Sequence, residues 1–195
     1  MGDKTAIVTG ASGNLGQAVA KKFLNEGYKV IGTVVPNDPV KIDFNNPGFE
    51  TEIVNLVDED NSLQFIESVI KKYGSINTAV LTVGGFATGS VEETKTTDIM
   101  RQYKLNFETA YNVARPAFTQ MLRQGTGRIF FIGSRPGLDA KNGNGMVSYG
   151  LAKSLLFRLA ELMNEEAKGT DVVTAVVAPS TIDTPKQAVN AIRGS

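Results

Sequence analysis

The sequence predicts an α/β fold, a single domain in which a doubly wound parallel sheet is covered by helices on both faces. Three observations lead to this prediction. Short runs rich in β-branched residues alternate with amphipathic stretches along the chain. The strand-like runs are apolar nearly throughout, which is typical of parallel strands buried on both faces. The 195 residues are 42% hydrophobic, enough for one sizeable core, and show neither an internal repeat nor a domain boundary.

The first predicted elements are two strands with a helix between them. The nearly all-apolar run 5–9 predicts a first strand, which ends at Gly10. Residues 14–26 place their apolar side chains on one face and therefore predict a helix, ended by Gly27. A second strand is predicted over 28–35. The stretch that follows is rich in Pro, Asn and Asp and predicts a loop with at most a short strand inside it.

The alternation then continues to the end of the chain. We predict strands over 51–56, 76–83, 128–133 and 171–177, and helices over 61–73, 96–123 and 148–168. Right-handed crossovers between such strands produce an open sheet. The last helix is apolar on more than one stripe, which fits either packing on the sheet alone or a second buried side at a subunit interface.

Two missing residue types restrict the chemistry. The chain contains no Cys, which excludes disulfides, thiol nucleophiles and zinc–thiolate sites, and no His, which excludes a Ser-His-Asp triad and an HExxH metal site. Catalysis must therefore use Tyr, Lys, Ser, Asp or Glu, or a bound cofactor. We expect no metal.

The charge and hydropathy patterns restrict the partners. Twenty basic residues balance twenty acidic ones, so electrostatics give no reason to expect nucleic acid or an anionic membrane as a partner. No apolar run approaches the ~20 residues of a membrane span, and the start MGDKTAIVTG leads into a strand without a signal peptide. We expect a cytoplasmic protein that acts on a small molecule.

A glycine-rich loop joins the first predicted strand to the first helix. In the run TGASGNLG at 9–16, one glycine allows a tight turn, one lets the backbone approach a pyrophosphate, and one brings the helix close to the strand. The strand–turn–helix context favours a dinucleotide site over a plain turn. The candidate coenzyme contacts in this loop are Gly10, Ser12, Gly13, Asn14, Leu15 and Gly16.

The choice between NAD and NADP stays open. An acidic residue at the end of the second strand would bind the ribose 2′-hydroxyl, and a basic one would favour a 2′-phosphate. Here the run GTVVP at 32–36 carries neither charge, and Asp38 and Lys41, slightly beyond it, point to opposite coenzymes.

A tyrosine and a lysine lie one helical turn apart near the start of the last predicted helix. The i, i+4 spacing of Tyr149 and Lys153 puts both side chains on one face. A phenol is a poor proton donor near neutrality, and a neighbouring ammonium would favour its ionised form and make it a usable general acid/base. The same spacing also arises by chance, with a half-buried Tyr and a solvated Lys. Its place after the fifth strand, together with the glycine loop, favours proton transfer.

Together these motifs resemble the short-chain dehydrogenase/reductase family. The run TGxxGxxG is at 9–16, YxxxK is at 149–153, Ser134 ends the fifth predicted strand, and Asn106 lies in the long helical zone. Their order and spacing cover nearly the whole chain. The resemblance implies a Rossmann-type sheet, a single NAD(P)-binding domain over 1–195, and nicotinamide-dependent hydride transfer.

The resemblance also implies roles for individual residues. Tyr149 would move the proton, Lys153 would bind the nicotinamide ribose, Ser134 would bind the substrate carbonyl, and Asn106 would hold a water that connects Lys153 to solvent. Further coenzyme contacts would come from Asn55, Leu56, Gly84, Gly85, Pro179, Ile182 and Thr184.

Within the family, three runs resemble dihydropteridine reductases. These are Gly84-Gly85-Phe86 and the segments 145–153 and 180–185. Such enzymes do not need the family serine, whereas Ser134 is present here, and Val34 stands where they carry an Asp. The expected substrate is therefore a carbonyl, an alcohol or a quinonoid-pterin-like molecule.

Three further residues near the site have two interpretations each. Phe86 could stack on a flat substrate ring or belong to the core. Arg135 and Asp139 lie on the loop that leads to Tyr149, where they could face the substrate or simply be solvated.

We expect the protein to assemble with copies of itself. The predicted assembly is a homodimer or homotetramer formed through helices 96–123 and 148–168. The chain is shorter than is usual for the family and lacks the usual C-terminal strand after Thr184, so it is either trimmed or open on that side of its cleft. The alternative function is a non-catalytic dinucleotide-binding redox sensor or interaction module.

Overall fold

Six parallel strands form one sheet in this computed structural model, which describes residues 4–40, 42 and 44–182. The strands are β1 (Thr5–Thr9), β2 (Lys29–Val34), β3 (Phe49–Ile53), β4 (Thr78–Leu81), β5 (Thr126–Ile132) and β6 (Asp171–Val177). Their order in the sheet is β3-β2-β1-β4-β5-β6, and every pairing is parallel. The predicted doubly wound α/β fold is therefore confirmed.

Helices connect the strands and cover the sheet. They are α1 (Asn14–Asn25), α2 (Glu59–Tyr73), α3 (Thr96–Tyr103), α4 (Thr109–Gln124), α5 (Arg135–Leu138) and α6 (Val147–Glu166). A π-helical segment, Lys104–Glu108, joins α3 to α4, so the predicted helical zone 96–123 is continuous but not uniformly α-helical. π-helical turns of this kind are rare and occur frequently at functional sites.

Several boundaries differ from the predictions for identifiable reasons. β3 begins two residues before the predicted start because Phe49 pairs with Val30 of β2, and its polar residues are tolerated at the sheet edge. α2 begins earlier than predicted because the Asp58 side chain accepts a hydrogen bond from the Asn61 amide at 2.9 Å and caps the helix. The loop after β5 contains α5, which was not predicted.

Two groups of apolar side chains fill the space between sheet and helices. The larger packs α2, α4 and α6 around fully buried residues of the central strands, among them Ile7, Ile129 and Phe131. The smaller packs α1 against Ala6, Val8 and Val30. Alternate residues of β1 thus serve the two groups, as expected for a strand that is covered on both faces.

The strand order changes direction between β1 and β4, and ligands of open α/β sheets bind at such a point, beyond the carboxyl ends of the strands. Gly10, Gly84 and Ser134 follow β1, β4 and β5 at this edge. The fold therefore brings together three segments that are far apart in the sequence.

No helix in the described part of the chain is both long enough and apolar enough to cross a membrane.

We expect Gly16→Ala to destabilise the fold. A Cβ at Gly16 would lie 2.2 Å from the Gly10 carbonyl oxygen and 2.9 Å from the Ala11 Cα, and both are backbone atoms that cannot move away cheaply. Overpacking of this kind costs about 1–3 kcal/mol or more. Urea unfolding should show the loss, whereas Ala18→Ser on the exposed face of α1 should unfold close to wild type. Equal stability of the two variants would contradict the close approach.

Candidate active site

The glycine loop forms a bend, the glycine cradle, that leads from β1 to the N-terminus of α1. Gly10 has φ of +61°, a conformation that glycine adopts without strain, and its carbonyl accepts a hydrogen bond from the Gly13 amide at 3.0 Å. Gly13 precedes the first residue of α1, and no side chain caps the helix there. The first-turn N–H groups and the positive end of the helix dipole are thus free to receive an anion, which fits the pyrophosphate of a dinucleotide.

The loop is tied to the segment after β2. The Ser12 hydroxyl donates to a carboxylate oxygen of Asp38 at 2.5 Å, and the Val40 amide donates to the other oxygen at 2.9 Å. These two hydrogen bonds, the Ser12 bond foremost, hold the pKa of Asp38 below its usual range. The negative charge of Asp38 therefore lies beside the glycine loop, and Lys41, the opposing candidate, lies outside the described residues.

The segment after β3 is fixed by a residue that the sequence interpretation missed. The Asn112 side-chain amide, buried on α4, donates to the Leu56 carbonyl at 3.0 Å and to the Val57 carbonyl at 3.2 Å. Asn55, the preceding residue, is exposed. A buried Asn in a helix is the sequence signal that could have been noticed, because such an amide needs partners from another segment.

The predicted Asn106 lies fully buried in the π-helical segment and binds the loop after β4. Its Oδ1 accepts from the Gly85 amide at 3.1 Å, and its Nδ2 donates to the Gly85 carbonyl at 3.0 Å. Nδ2 also donates to the buried Gln102 side chain at 2.7 Å. Asn106 thus pairs with the Gly85 backbone much as a neighbouring strand would, and fixes the loop that follows β4. Gln102 was not predicted.

Lys153 is buried beneath the same loop, with 5% of its surface exposed. Its Nζ donates a 2.7 Å hydrogen bond to the Ile132 carbonyl at the end of β5. A Cβ at Gly84 would lie 2.6 Å from the Asn106 Oδ1 and 3.1 Å from the Lys153 Nζ. Gly84 therefore sits over both polar groups and leaves no room for a side chain.

Burial lowers the pKa of this lysine. Removal from water disfavours the ammonium form and lowers the pKa of Lys153 from its ordinary 10.5 to about 8. A lysine with a perturbed pKa at the strand-end edge of an α/β sheet is a candidate functional residue.

Tyr149 is partly buried, one helical turn before Lys153 on α6. The Lys153 Nζ lies 5.9 Å from the centre of its ring. The ring of Phe86 meets it edge-to-face, with the two ring centres 5.1 Å apart. Phe86 is 63% exposed, so the alternative that it belongs to the core is wrong.

Ser134 lies buried at the end of β5 and begins the turn that leads to Tyr149. Its Oγ accepts a hydrogen bond from the Gly137 amide at 3.3 Å and caps α5. A Cβ at Gly137 would lie 2.7 Å from the Lys153 Cβ, so this turn packs tightly against α6. The Gly89 amide donates to the Gly145 carbonyl at 2.7 Å and ties the segment before α6 to the loop after β4.

One cleft of about 810 Å³ joins these groups. Its lining residues come from the loops after β4, β5 and β6 and from the start of α6: Gly84, Phe86, Ser134, Arg135, Pro136, Asn142, Met146, Tyr149, Ser180, Thr181 and Ile182. Tyr149 and Ser134 thus face one space, while Lys153 and Asn106 lie directly behind Gly84. Pro179 precedes the three lining residues after β6, and the predicted contact Thr184 lies outside the described residues.

Comparisons with known proteins agree with this geometry. The family model described as short chain dehydrogenase matches residues 4–191. A 3-oxoacyl-(acyl-carrier-protein) reductase, FabG, of Buchnera aphidicola is 29% identical over 187 residues, which are 93% of this chain and 74% of the relative.

Two solved structures extend the comparison. The ligand-free aldohexose dehydrogenase of Thermoplasma acidophilum is 27% identical with a TM-score of 0.83, and the match covers 100% of this chain and 73% of that one. ElxO with NADP bound shares the fold at 24% identity with a TM-score of 0.91, over 98% of this chain and 79% of that one. The chain belongs to the short chain dehydrogenase family and is an NAD(P)-dependent oxidoreductase.

Proposed function

We propose that this protein reduces a small carbonyl compound, or oxidises the corresponding alcohol, with Tyr149 as the general acid/base. The observation that carries the proposal is the single cleft that Tyr149 and Ser134 both line, with the buried Lys153 behind it. NAD or NADP would occupy the glycine cradle beside this cleft, and when bound it supplies or accepts the hydride. A quinonoid-pterin-like substrate belongs to the same proposal, supported by the exposed flat ring of Phe86.

Side chains of the protein transfer the proton and position the substrate and the coenzyme. The Tyr149 hydroxyl donates a proton to the carbonyl oxygen in reduction and takes it back in oxidation. The Ser134 hydroxyl donates a hydrogen bond to the same oxygen and holds the carbonyl in line. The Lys153 ammonium binds the nicotinamide ribose and stabilises negative charge on the phenol oxygen. Asn106 holds the Gly84–Gly85 backbone against the coenzyme site through its two hydrogen bonds to Gly85.

We also propose that the active form is a homodimer or homotetramer formed through α3, α4 and α6. Three leucines of α6, Leu151, Leu155 and Leu162, are 51%, 39% and 49% exposed, and Met100 of α3 is 46% exposed. Large apolar side chains at helix spacing on a free face favour burial against another subunit. Cytoplasmic location remains part of the proposal.

Tyr149→Phe should abolish turnover and leave coenzyme binding nearly intact. The ring and its contact with Phe86 remain, but the proton donor is lost. Oxidation of NADH and of NADPH should be followed with a panel of ketones, aldehydes, quinones and quinonoid dihydropterins, and coenzyme binding by fluorescence titration. Wild-type turnover in this variant would contradict the assignment of Tyr149. Coenzyme binding by the wild type without turnover of any compound would instead support a redox sensor.

Lys153→Met should inactivate the enzyme and raise its stability at neutral pH. The pKa of Lys153 is about 8 in the folded chain against 10.5 unfolded, so at pH 7 the folded state carries a buried ammonium at a cost of roughly 3 kcal/mol. Above pH 8 the folded wild type loses this proton, whereas the unfolded chain keeps it up to about pH 10.5. The cost therefore decreases over this range and disappears at its upper end. The variant's advantage in thermal unfolding should therefore be largest at pH 7 and vanish near pH 10.5.

The expected pH trend distinguishes this effect from better packing. A methionine that merely packed well would give an advantage that is constant with pH, and that result would contradict the buried charge.

A further inference from the structure

Within the part of the chain that the structure describes, the residues that line the cleft carry a positive charge and no negative charge to balance it. Among the described residues that line it, one side chain carries a formal charge, and that is the cation Arg135. The other lining residues are apolar or neutral. A substrate that fills this space therefore meets a single positive group.

Most of the other arginines in the described part of the chain form ion pairs, and Arg135 does not. Arg101, Arg115, Arg128 and Arg158 each form an ion pair with a carboxylate. Within residues 4–40, 42 and 44–182, the guanidinium of Arg135 has neither an ion pair nor a side-chain hydrogen bond. Asp139, a carboxylate on the same turn, accepts instead a hydrogen bond from the Lys141 amide at 3.0 Å.

The backbone of Arg135 is fixed relative to the proposed catalytic groups. It follows Ser134 directly, and its carbonyl accepts a hydrogen bond from the Asp139 amide at 2.9 Å. The turn that contains it packs on the backbone of Lys153 through Gly137. An anion bound by Arg135 would thus lie within one side-chain length of the backbone that follows Ser134.

The remaining wall of the cleft is suited to a flat apolar group. Phe86 exposes most of its ring and meets Tyr149 edge-to-face, and Pro136, Met146 and Ile182 complete the apolar lining. Aromatic and thioether groups of this kind bind aromatic rings favourably.

From this arrangement we propose that the substrate is an aromatic carbonyl compound that carries a carboxylate, with Arg135 as the residue that binds the carboxylate. The inference rests on the proposed function. In the reduction, hydride goes from the reduced coenzyme to the carbonyl carbon and a proton from Tyr149 to its oxygen, which gives a hydroxy acid and the oxidised coenzyme. The carboxylate takes no part in the reaction and serves recognition. Arginine suits this role because its planar guanidinium donates two parallel hydrogen bonds to a carboxylate.

The test compares acids with their neutral esters. The probes are 2-, 3- and 4-carboxybenzaldehyde and benzoylformate, each measured against its methyl ester with NADH and NADPH. The wild type should prefer at least one acid over its ester by about tenfold in kcat/KM, as expected for one charge-assisted hydrogen-bonded pair. Arg135→Gln should raise the KM for that acid about tenfold, leave its kcat nearly unchanged, and leave the ester unaffected. Arg135→Lys should retain part of the preference.

Lys141→Gln is the matched control, since Lys141 is an exposed cation close in sequence that does not line the cleft. It should keep the full preference for the acid. Equal kcat/KM for acids and esters in the wild type, or an equal loss in the Lys141 and Arg135 variants, would overturn the proposal.

Binding measurements separate this inference from the proposed function. Calorimetric titration of the coenzyme-loaded protein with each acid should show affinity that Arg135→Gln removes. Turnover of the acids without any dependence on Arg135 would leave the proposed function standing and overturn the carboxylate site. Arg135-dependent binding of an acid, with no carbonyl compound reduced, would uphold the anion site and overturn the reaction.

Discussion

The burial of the Lys153 ammonium is the constraint on which the rest of the site depends. A charged amine removed from water requires strong hydrogen-bond acceptors, and here the Ile132 carbonyl at the end of β5 supplies one at 2.7 Å. The acceptor belongs to the sheet and the amine to α6, so this bond joins the helix to the end of β5. Tyr149 is one turn earlier on the same helix, which keeps it close to the buried amine.

Buried polar pairs position the loops around the lysine. Asn106 fixes the backbone of Gly85 by two hydrogen bonds, and Asn112 fixes the backbone after β3. Such amides are costly when unpaired, so each holds its segment in one arrangement. Glycine at position 84 follows from this packing, because a side chain there would collide with Asn106 and crowd Lys153. A pre-organised site results, as catalysis by orientation requires.

The fold was largely predictable because its signals are local and repeated. Apolar runs such as β1 and the glycine loop after it have one reasonable structure, and the strand alternation determines the parallel sheet. The predicted start of the polar strand β3 is two residues too late, because the position of this strand is set by its pairing with β2 and not by its own composition. In the site, the spacing of Tyr149 and Lys153 made them candidates, and the structure places them one turn apart on α6. Gln102 and Asn112 were missed, because a buried amide is recognised only from the distant backbone it binds. Whether Arg135 lines the cleft likewise depends on tertiary structure and cannot be read from the sequence.

The central claim is that a buried lysine with an altered protonation equilibrium lies behind the wall of this cleft. Its most direct test is an NMR titration of the Lys153 side chain in the protein labelled with ¹⁵N-lysine, with Lys153→Met used to assign the signal. The account predicts a pKa of about 8 for Lys153 in the free protein. A value near the ordinary 10.5 would mean that the amine is solvated, and would contradict the account.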